Sequence, residues 1–265
     1  MIRYSEEDGF IKATGIKFKE NQDENIILPR VAVGVFSSHL FKDVIEKFSC
    51  KEVGYIDGAN IERNVYILRY KNVNITFFMA GVSGSWICSD IEELKAQGVE
   101  KFIIFGNCGV LDSKIEDCSI IIPTKGFRDE GVSYHYQPDS ETIDINPKYI
   151  KEFVNILKKY NFNYTKGYTW TIDAFYRETK DKINYFKNKG AITVEMEGTV
   201  IAAVCNKLNV DYFTFYYAGD NLDSTEWEER SLRGLTNIEK KKEVMLLALE
   251  LAVEINTSRR EYYDF

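Results

Sequence analysis

The sequence is poor in the residues that build metal centres and disulfide frameworks. Its 265 residues contain two histidines, His39 and His135, and five cysteines, none of them in a Cys-x-x-Cys pair. An odd number of scattered cysteines is typical of reduced intracellular thiols, and two distant histidines argue against a structural zinc site. We therefore expect neither disulfides nor a bound metal, and a cytoplasmic location.

Long apolar runs and an excess of positive charge are also missing. No stretch has the length of a signal peptide or of a transmembrane span, so we expect no membrane partner. The 34 Lys and Arg residues are outnumbered by 41 Asp and Glu residues, which gives a net charge of −7. This balance argues against nucleic acid or an anionic membrane as a partner.

What the chain does contain is enough apolar surface for a sizeable core and an alternation of strands and helices. Apolar residues make up 45% of the chain, including 17 Phe and 17 Tyr. Near-continuous apolar strands predict a sheet covered on both faces, and therefore an α/β fold. No linker-like segment divides the chain, so we predict an N-terminal extension at 1–29, one domain at 30–256 and a tail at 257–265. The predicted strands are 31–36, 66–70, 73–80, 101–105, 119–122 and 212–217, and the predicted helices are 38–48, 85–97, 147–160, 198–208 and 237–255.

The segment at 194–205 places two carboxylates and a thioether at the start of an amphipathic helix. Acids at a helix start compensate the helix dipole, and that ordinary role would by itself account for Glu195 and Glu197. Met196 between the two acids is unusual in a solvated turn, and a carboxylate that accepts two hydroxyl hydrogen bonds suits a ribose. We therefore take Glu195, Met196 and Glu197 as candidate ribose-binding residues.

Five further segments match one protein family in the same order. They are Gly-Val-Ser-Gly at 81–84, Phe-Gly-Asn-Cys-Gly-Val at 105–110, Asp-Glu-Gly-Val-Ser-Tyr-His-Tyr at 129–136, Asp-Ala-Phe-Tyr at 173–176 and Ala-Gly-Asp at 218–220. With Val-Glu-Met-Glu at 194–197, the set resembles the nucleoside phosphorylase and nucleosidase superfamily over roughly residues 30–256. The resemblance implies a three-layer α/β sandwich with a mixed, partly barrel-like central sheet. It also implies a homo-oligomer, either a dimer or a hexamer, and no cofactor other than phosphate as co-substrate.

The resemblance assigns two residues to the base, and an arginine beside them is a third candidate. Asp220 takes the position of the acid that protonates or hydrogen-bonds N7 of a departing purine, although a turn aspartate has the same pattern. Phe175 is the candidate stacking ring, with core packing as the alternative. Arg177, beside the same loop, either contacts the base or pairs at the surface with Glu178.

The candidate phosphate-binding residues are Gly34, Gly84, Asn107 and Arg63. The turn at 81–85 offers backbone N–H groups that suit an anion, although an ordinary tight turn has the same pattern. By resemblance, Asn107 replaces a phosphate-contacting hydroxyl, and Arg63 matches an arginine lent by a neighbouring subunit. Ile104 stands where the phosphorylases carry another arginine, so we expect weak phosphate binding.

The resemblance therefore implies cleavage of the N-glycosidic bond of a purine-type nucleoside, with release of base and ribose 1-phosphate. Asp220 is the expected catalytic acid, and nucleoside and phosphate are the expected partners. Two alternatives stay open. One is a nucleosidase that uses water, whose early acidic residue is absent from the segment at 34–39, and the other is a nucleoside-binding protein without turnover.

Overall fold

A computed structural model describes residues 3–19 and 26–257, and these residues form eleven strands, seven α-helices and one short 3-10 helix at Phe175–Arg177. The strands are β1 Lys17–Phe18, β2 Val31–Val35, β3 Ser49–Ile56, β4 Arg63–Tyr70, β5 Val73–Met79, β6 Lys101–Val110, β7 Ile120–Asp129, β8 Thr142–Asp144, β9 Tyr164–Ile172, β10 Ala191–Glu195 and β11 Asp211–Asn221. The helices are α1 Ser38–Lys47, α2 Gly84–Ala96, α3 Ser133–Tyr136, α4 Ile150–Lys159, α5 Lys180–Asn188, α6 Gly198–Leu208 and α7 Ile238–Thr257. The last eight residues of the predicted tail lie outside the described part of the chain.

All eleven strands belong to one mixed sheet. Its order is β1-β3-β4-β5-β2-β6-β10-β9-β7-β11, and β8 pairs with β7. Because β11 also pairs with β6, the strands β6, β10, β9, β7 and β11 form a ring of pairings. The prediction of a mixed, partly barrel-like sheet is confirmed.

Helices cover both faces of this sheet, as the apolar strands predict. On one face, α1, α4 and α7 pack over a core that includes Val33, Phe105 and Phe215. On the other face, α2 and α6 pack over a second core that includes Ile104 and Ile201. The predicted three-layer arrangement is therefore confirmed, with the sheet as its middle layer.

Local sequence signals explain where the best-predicted helices begin and end. Ser37 and Ser38 are both candidate caps before this helix, and the structure selects Ser37, whose hydroxyl accepts a hydrogen bond from the Leu40 N–H. Gly98 follows α2 with φ of +102°, a conformation that glycine adopts without strain. None of the described helices is long and apolar enough to cross a membrane.

Several elements differ from the prediction. The predicted strands at 101–105 and 119–122 continue to Val110 and Asp129, because both enter the ring and gain partners there. The strands β3, β9 and β10 and the helix α5 were not predicted, since their sequences mix polar and apolar residues without a clear period. Part of the predicted N-terminal extension forms β1, which pairs with the edge strand β3.

Candidate functional site

One cavity of about 800 Å³ opens where several strands of the sheet end. Residues from the ends of β6, β10 and β11, the start of α1 and the segment that leads into α7 line it. Six of the residues proposed from the sequence meet there, although they come from distant parts of the chain: Asn107, Phe175, Glu195, Met196, Glu197 and Asp220.

Glu195 is buried at the end of β10 and its carboxylate is fully engaged. One oxygen accepts hydrogen bonds from the hydroxyls of Thr169 (3.0 Å) and Thr171 (2.6 Å). The other accepts from the backbone N–H groups of Glu197 (2.7 Å) and Gly198 (2.5 Å). Glu195 therefore ties the first amides of α6 to the neighbouring strand β9 and fixes the loop that carries Met196 and Glu197.

Glu197 also lies in the cavity wall, but its carboxyl group is less engaged than that of Glu195. One oxygen accepts the backbone N–H of Ser83 at 2.6 Å, across from the start of α2. Burial, followed by the charge of Glu195, raises the pKa of Glu197 to about 8. Because its side chain does not cap α6, Glu197 keeps oxygen lone pairs for a ligand.

Asp220 reaches the cavity because β11 contains a bulge. Ala218 pairs with Cys108, and Asp220 pairs with the next residue, Gly109, so Gly219 is the extra residue. The indole N–H of Trp227 donates a hydrogen bond to one Asp220 oxygen at 2.7 Å. Burial raises the pKa of Asp220 above its ordinary value.

An aromatic pair and a second acid lie at the same end as Asp220. Phe175 and Tyr176 line the cavity with ring centroids 4.1 Å apart. Phe175 is 48% exposed, so its ring is not buried in the core and can contact a ligand. Glu178 also lines the cavity, and burial together with the Asp220 charge raises its pKa to about 8. This end therefore offers a stacking face and two acids of raised pKa to a planar ligand.

Another part of the cavity wall is polar and includes a lysine. Ser37, Ser38 and His39 form the start of α1 there. Lys241, near the start of α7, is buried and donates from Nζ to the Ser231 carbonyl oxygen at 2.5 Å. Asn107 donates from Nδ2 to the adjacent carbonyl oxygen, that of Leu232, at 3.4 Å.

Four of the proposed residues lie outside the cavity wall. A Cβ on Gly34 would come within 2.4 Å of the Phe78 ring, and one on Gly84 within 2.9 Å of Val200, so both glycines permit close packing. Arg177 is exposed at the end of the short 3-10 helix. Arg63 is buried against Asp90, with its guanidinium 4.4 Å from the Trp86 ring centroid.

The Arg63–Asp90 pair instead supports the turn before α2. Asp90 accepts hydrogen bonds from Arg63 Nε at 2.8 Å and from the Gly81 backbone N–H at 2.7 Å. The loan of Arg63 to a neighbouring subunit stays a prediction. Ile104 is fully buried in the core beneath α2 and α6, so an arginine there would need a different packing of that core.

Sequence reasoning did not single out Trp227 or Lys241. Trp227 follows Asp220 by seven residues in a segment without helix or strand periodicity, and no motif marks it. Lys241 is the middle residue of three consecutive lysines, and only the helix geometry shows that it is the buried one. Glu178 was noticed as an extra polar residue, but its place in the cavity is a result of the fold.

Comparison with known proteins agrees with this arrangement. The chain is 24% identical to a purine nucleoside phosphorylase, DeoD-type, of Mycoplasma genitalium over 76% of this chain and 87% of that protein. It is 29% identical to a 5'-methylthioadenosine/S-adenosylhomocysteine nucleosidase of Buchnera aphidicola over 64% of this chain and 77% of the relative.

The fold is similar to the crystal structure of purine nucleoside phosphorylase from Toxoplasma gondii in complex with immucillin-H. That similarity has a TM-score of 0.77 at 16% identity, and it covers 95% of this chain and 99% of the other. The model of the phosphorylase superfamily matches residues 30–254. The chain therefore belongs to the phosphorylase superfamily, the family of nucleoside phosphorylases and nucleosidases.

Proposed function

We propose that this protein cleaves the N-glycosidic bond of a purine-type nucleoside with phosphate as the nucleophile. The observation that carries the proposal is that one cavity is lined by the groups that each part of the substrate needs. The acids and the Phe175 ring suit a base, the segment at 195–197 suits a ribose, and Lys241 suits an anion, and all of them line the same cavity. In a nucleoside, C1′ joins the base to the ribose, so a phosphate that attacks C1′ lies beside both.

Each group has a defined part in the proposed reaction. Phe175 stacks on the base, and the free oxygen of Glu197 accepts a ribose hydroxyl while Glu195 holds the loop in place. A phosphate oxygen forms a bond to C1′ as the bond from C1′ to the base nitrogen breaks. The electron pair of that bond goes to the base, and protonated Asp220 passes its proton to the base nitrogen N7. The products are the free base and ribose 1-phosphate.

Water is the competing nucleophile, because a nucleosidase is among the relatives at 29% identity. Activation of water needs a base near the attacked carbon. In the described part of the chain, the cavity wall at Phe36–His39 contributes two serines and a histidine but no carboxylate. This composition favours phosphate as the nucleophile.

The test is a panel of inosine, guanosine, adenosine, 5'-methylthioadenosine and uridine, incubated with and without phosphate. Free base is followed by chromatography. We expect release of purine bases only with phosphate, and none from uridine. Release at the same rate without phosphate would assign the protein to the nucleosidases, and binding without any release would make it a nucleoside-binding protein.

Asp220→Asn provides the first residue-level prediction. Asparagine keeps the hydrogen bond to Trp227 but has no proton to give, so turnover should fall about 10²–10⁴-fold, the usual contribution of general acid catalysis. Circular dichroism should show an unchanged fold. The matched control is Asp181→Asn, an exposed acid near the start of α5, which should leave turnover unchanged. Wild-type rates for Asp220→Asn on every cleaved nucleoside would remove Asp220 from the mechanism.

A further inference from the structure

Lys241 is a buried positive charge without a negative partner among the described residues. Only 4% of the residue is exposed, and it contributes to the cavity wall. A lysine ammonium has three donors, and Nζ uses one of them on the Ser231 carbonyl oxygen. The neighbouring Asp117 carboxylate is engaged by Ser231 Oγ and Asn237 instead. A buried charge is costly unless a counter-charge or hydrogen bonds compensate it, so this position favours an anion.

Asn107 contributes a second donor to the same part of the cavity wall. Asn107 Nδ2 and Lys241 Nζ donate to the consecutive carbonyl oxygens of Leu232 and Ser231, so one peptide unit separates their acceptors. The amide group and the ammonium group are therefore both anchored to one short segment, and both residues line the cavity.

The third contribution comes from the start of α1. Lys242, next to Lys241, pairs with Asp43 of α1 at 3.3 Å, which joins the second turn of α7 to the second turn of α1. Ser38 and His39 lie in the cavity wall, and the first N–H groups of a helix have no partner within the helix. Such N–H groups and the positive end of the helix dipole favour an anion.

We propose that Lys241 is the positively charged anchor for the tetrahedral oxyanion that this cavity binds, with Asn107 and the first turn of α1 as its neutral donors. Resting on the proposed function, this identifies the oxyanion as the phosphate co-substrate and Lys241 as the replacement for the missing arginine at position 104. A lysine binds phosphate as a point charge rather than through two parallel hydrogen bonds.

A purely structural role for Lys241 makes a different prediction. In that role, Lys241 only fastens the segment around Ser231 over the cavity. Loss of its charge would then disturb phosphate and nucleoside binding alike, because Trp227, which contacts Asp220, and Leu232 belong to the same segment and line the cavity. The two roles are therefore separable by comparing the KM for phosphate with the KM for nucleoside.

The experiment uses Lys241→Gln, which retains an N–H donor for Ser231 but has no charge, together with Lys241→Arg. The matched control is Lys240→Gln, because Lys240 is exposed and precedes Lys241 in the same helix. We expect Lys241→Gln to raise the KM for phosphate about 10- to 100-fold, the range for loss of a charged hydrogen-bond donor. The KM for nucleoside should stay within about threefold on the same reasoning, Lys241→Arg should recover part of the phosphate affinity, and Lys240→Gln should match the wild type.

Thermal unfolding with increasing phosphate gives a readout that does not depend on turnover. Phosphate should raise the Tm of the wild type and of Lys240→Gln but not that of Lys241→Gln. Two results would contradict the proposed role of Lys241. One is an equal phosphate-dependent rise in Tm in all three proteins, and the other is a Lys241→Gln protein in which the KM for phosphate and the KM for nucleoside rise together. The wild type could instead be stabilised by phosphate through Lys241 and show no phosphate-dependent cleavage. That result would contradict only the proposed reaction and not the role of Lys241 in binding.

Discussion

At the scale of single residues, the cavity holds acids that are kept from ionising at neutral pH. In the part of the chain that the structure describes, no hydrogen-bond donor contacts the Glu178 carboxyl group, and its pKa is raised to about 8 by burial and by the charge of Asp220. The pKa of Glu197 is raised to about 8 as well, chiefly by burial. A carboxylic acid that keeps its proton both donates and accepts a hydrogen bond, which suits the edge of a purine or a sugar hydroxyl.

The raised pKa of Glu178 predicts a dependence of stability on pH. In the unfolded chain its pKa is about 4.3, so between about pH 4.3 and 8 the folded protein holds a proton that the unfolded chain has lost. The contribution of Glu178 to stability therefore falls as pH rises through this window. Glu178→Gln should have a higher Tm than the wild type at pH 8 and the same Tm near pH 4, measured by calorimetry. Glu226→Gln is the control, since Glu226 is exposed. An equal Tm for Glu178→Gln and wild type at pH 8 would contradict the raised pKa.

At the scale of elements, Gly34 was proposed as a phosphate-binding residue, but the packing between two strands explains the glycine at this position. The next strand, β5, places the Phe78 ring directly over Gly34, where a Cβ would lie 2.4 Å from the ring. Gly34→Ala should therefore cost about 1–3 kcal/mol of unfolding free energy, as overpacking of a core usually does. Urea denaturation measures this change. Gly219→Ala is the comparison, because the nearest atoms to its Cβ are 3.4 Å away. If Gly34→Ala kept the stability of the wild type but had a raised KM for phosphate, Gly34 would instead be a phosphate-binding residue.

The sequence predicted an element well where the burial of its residues follows one pattern from end to end. The continuous apolar run of β2 and the Ser37 cap of α1 are local signals, and both agree with the structure. β9 alternates only in its first half and is buried throughout its second half, because one end lies at the surface and the other inside the ring. A single period therefore does not describe it.

The ordered motifs placed the candidate ribose and base residues in one cavity, because each motif lies where a strand ends. The proposed phosphate anchor, Lys241, was not found from these motifs. Nothing local separates Lys241 from the exposed Lys240, since burial depends on which face of α7 meets the sheet. The neutral character of Ile104 was visible in the sequence, but the group that we propose in its place, Lys241, lies 137 residues further along the chain.

At the scale of the whole molecule, the rim of the cavity is unusually apolar for an exposed surface. Val82, Phe175, Tyr176 and Trp227 line the cavity and are 55%, 48%, 84% and 49% exposed. Clustered exposed apolar groups mark interaction surfaces. We predict that a second copy of the chain covers this rim, in a dimer or in a hexamer built of dimers.

Sedimentation velocity measures this assembly directly. Tyr176→Asp should shift the protein towards the monomer and lower turnover, because a charge at an apolar contact is costly. Tyr160→Asp is the control and should leave the assembly unchanged. Tyr160 is also an exposed tyrosine, but it lies at the C-terminal end of α4 and does not line the cavity. A wild-type monomer with full activity would contradict the prediction.

Gly219, the extra residue of the β11 bulge, determines which side of the sheet Asp220 faces. Side chains alternate along a regular strand, so without the bulge Asp220, two residues after Ala218, would face the same side as Ala218. Ala218 faces a small apolar cluster shared with Cys108 and Tyr216. A carboxylate there would be enclosed by apolar side chains and separated from any ligand. The bulge thus allows a single strand to place an apolar side chain at Ala218 and, two residues later, a carboxylate on the opposite side.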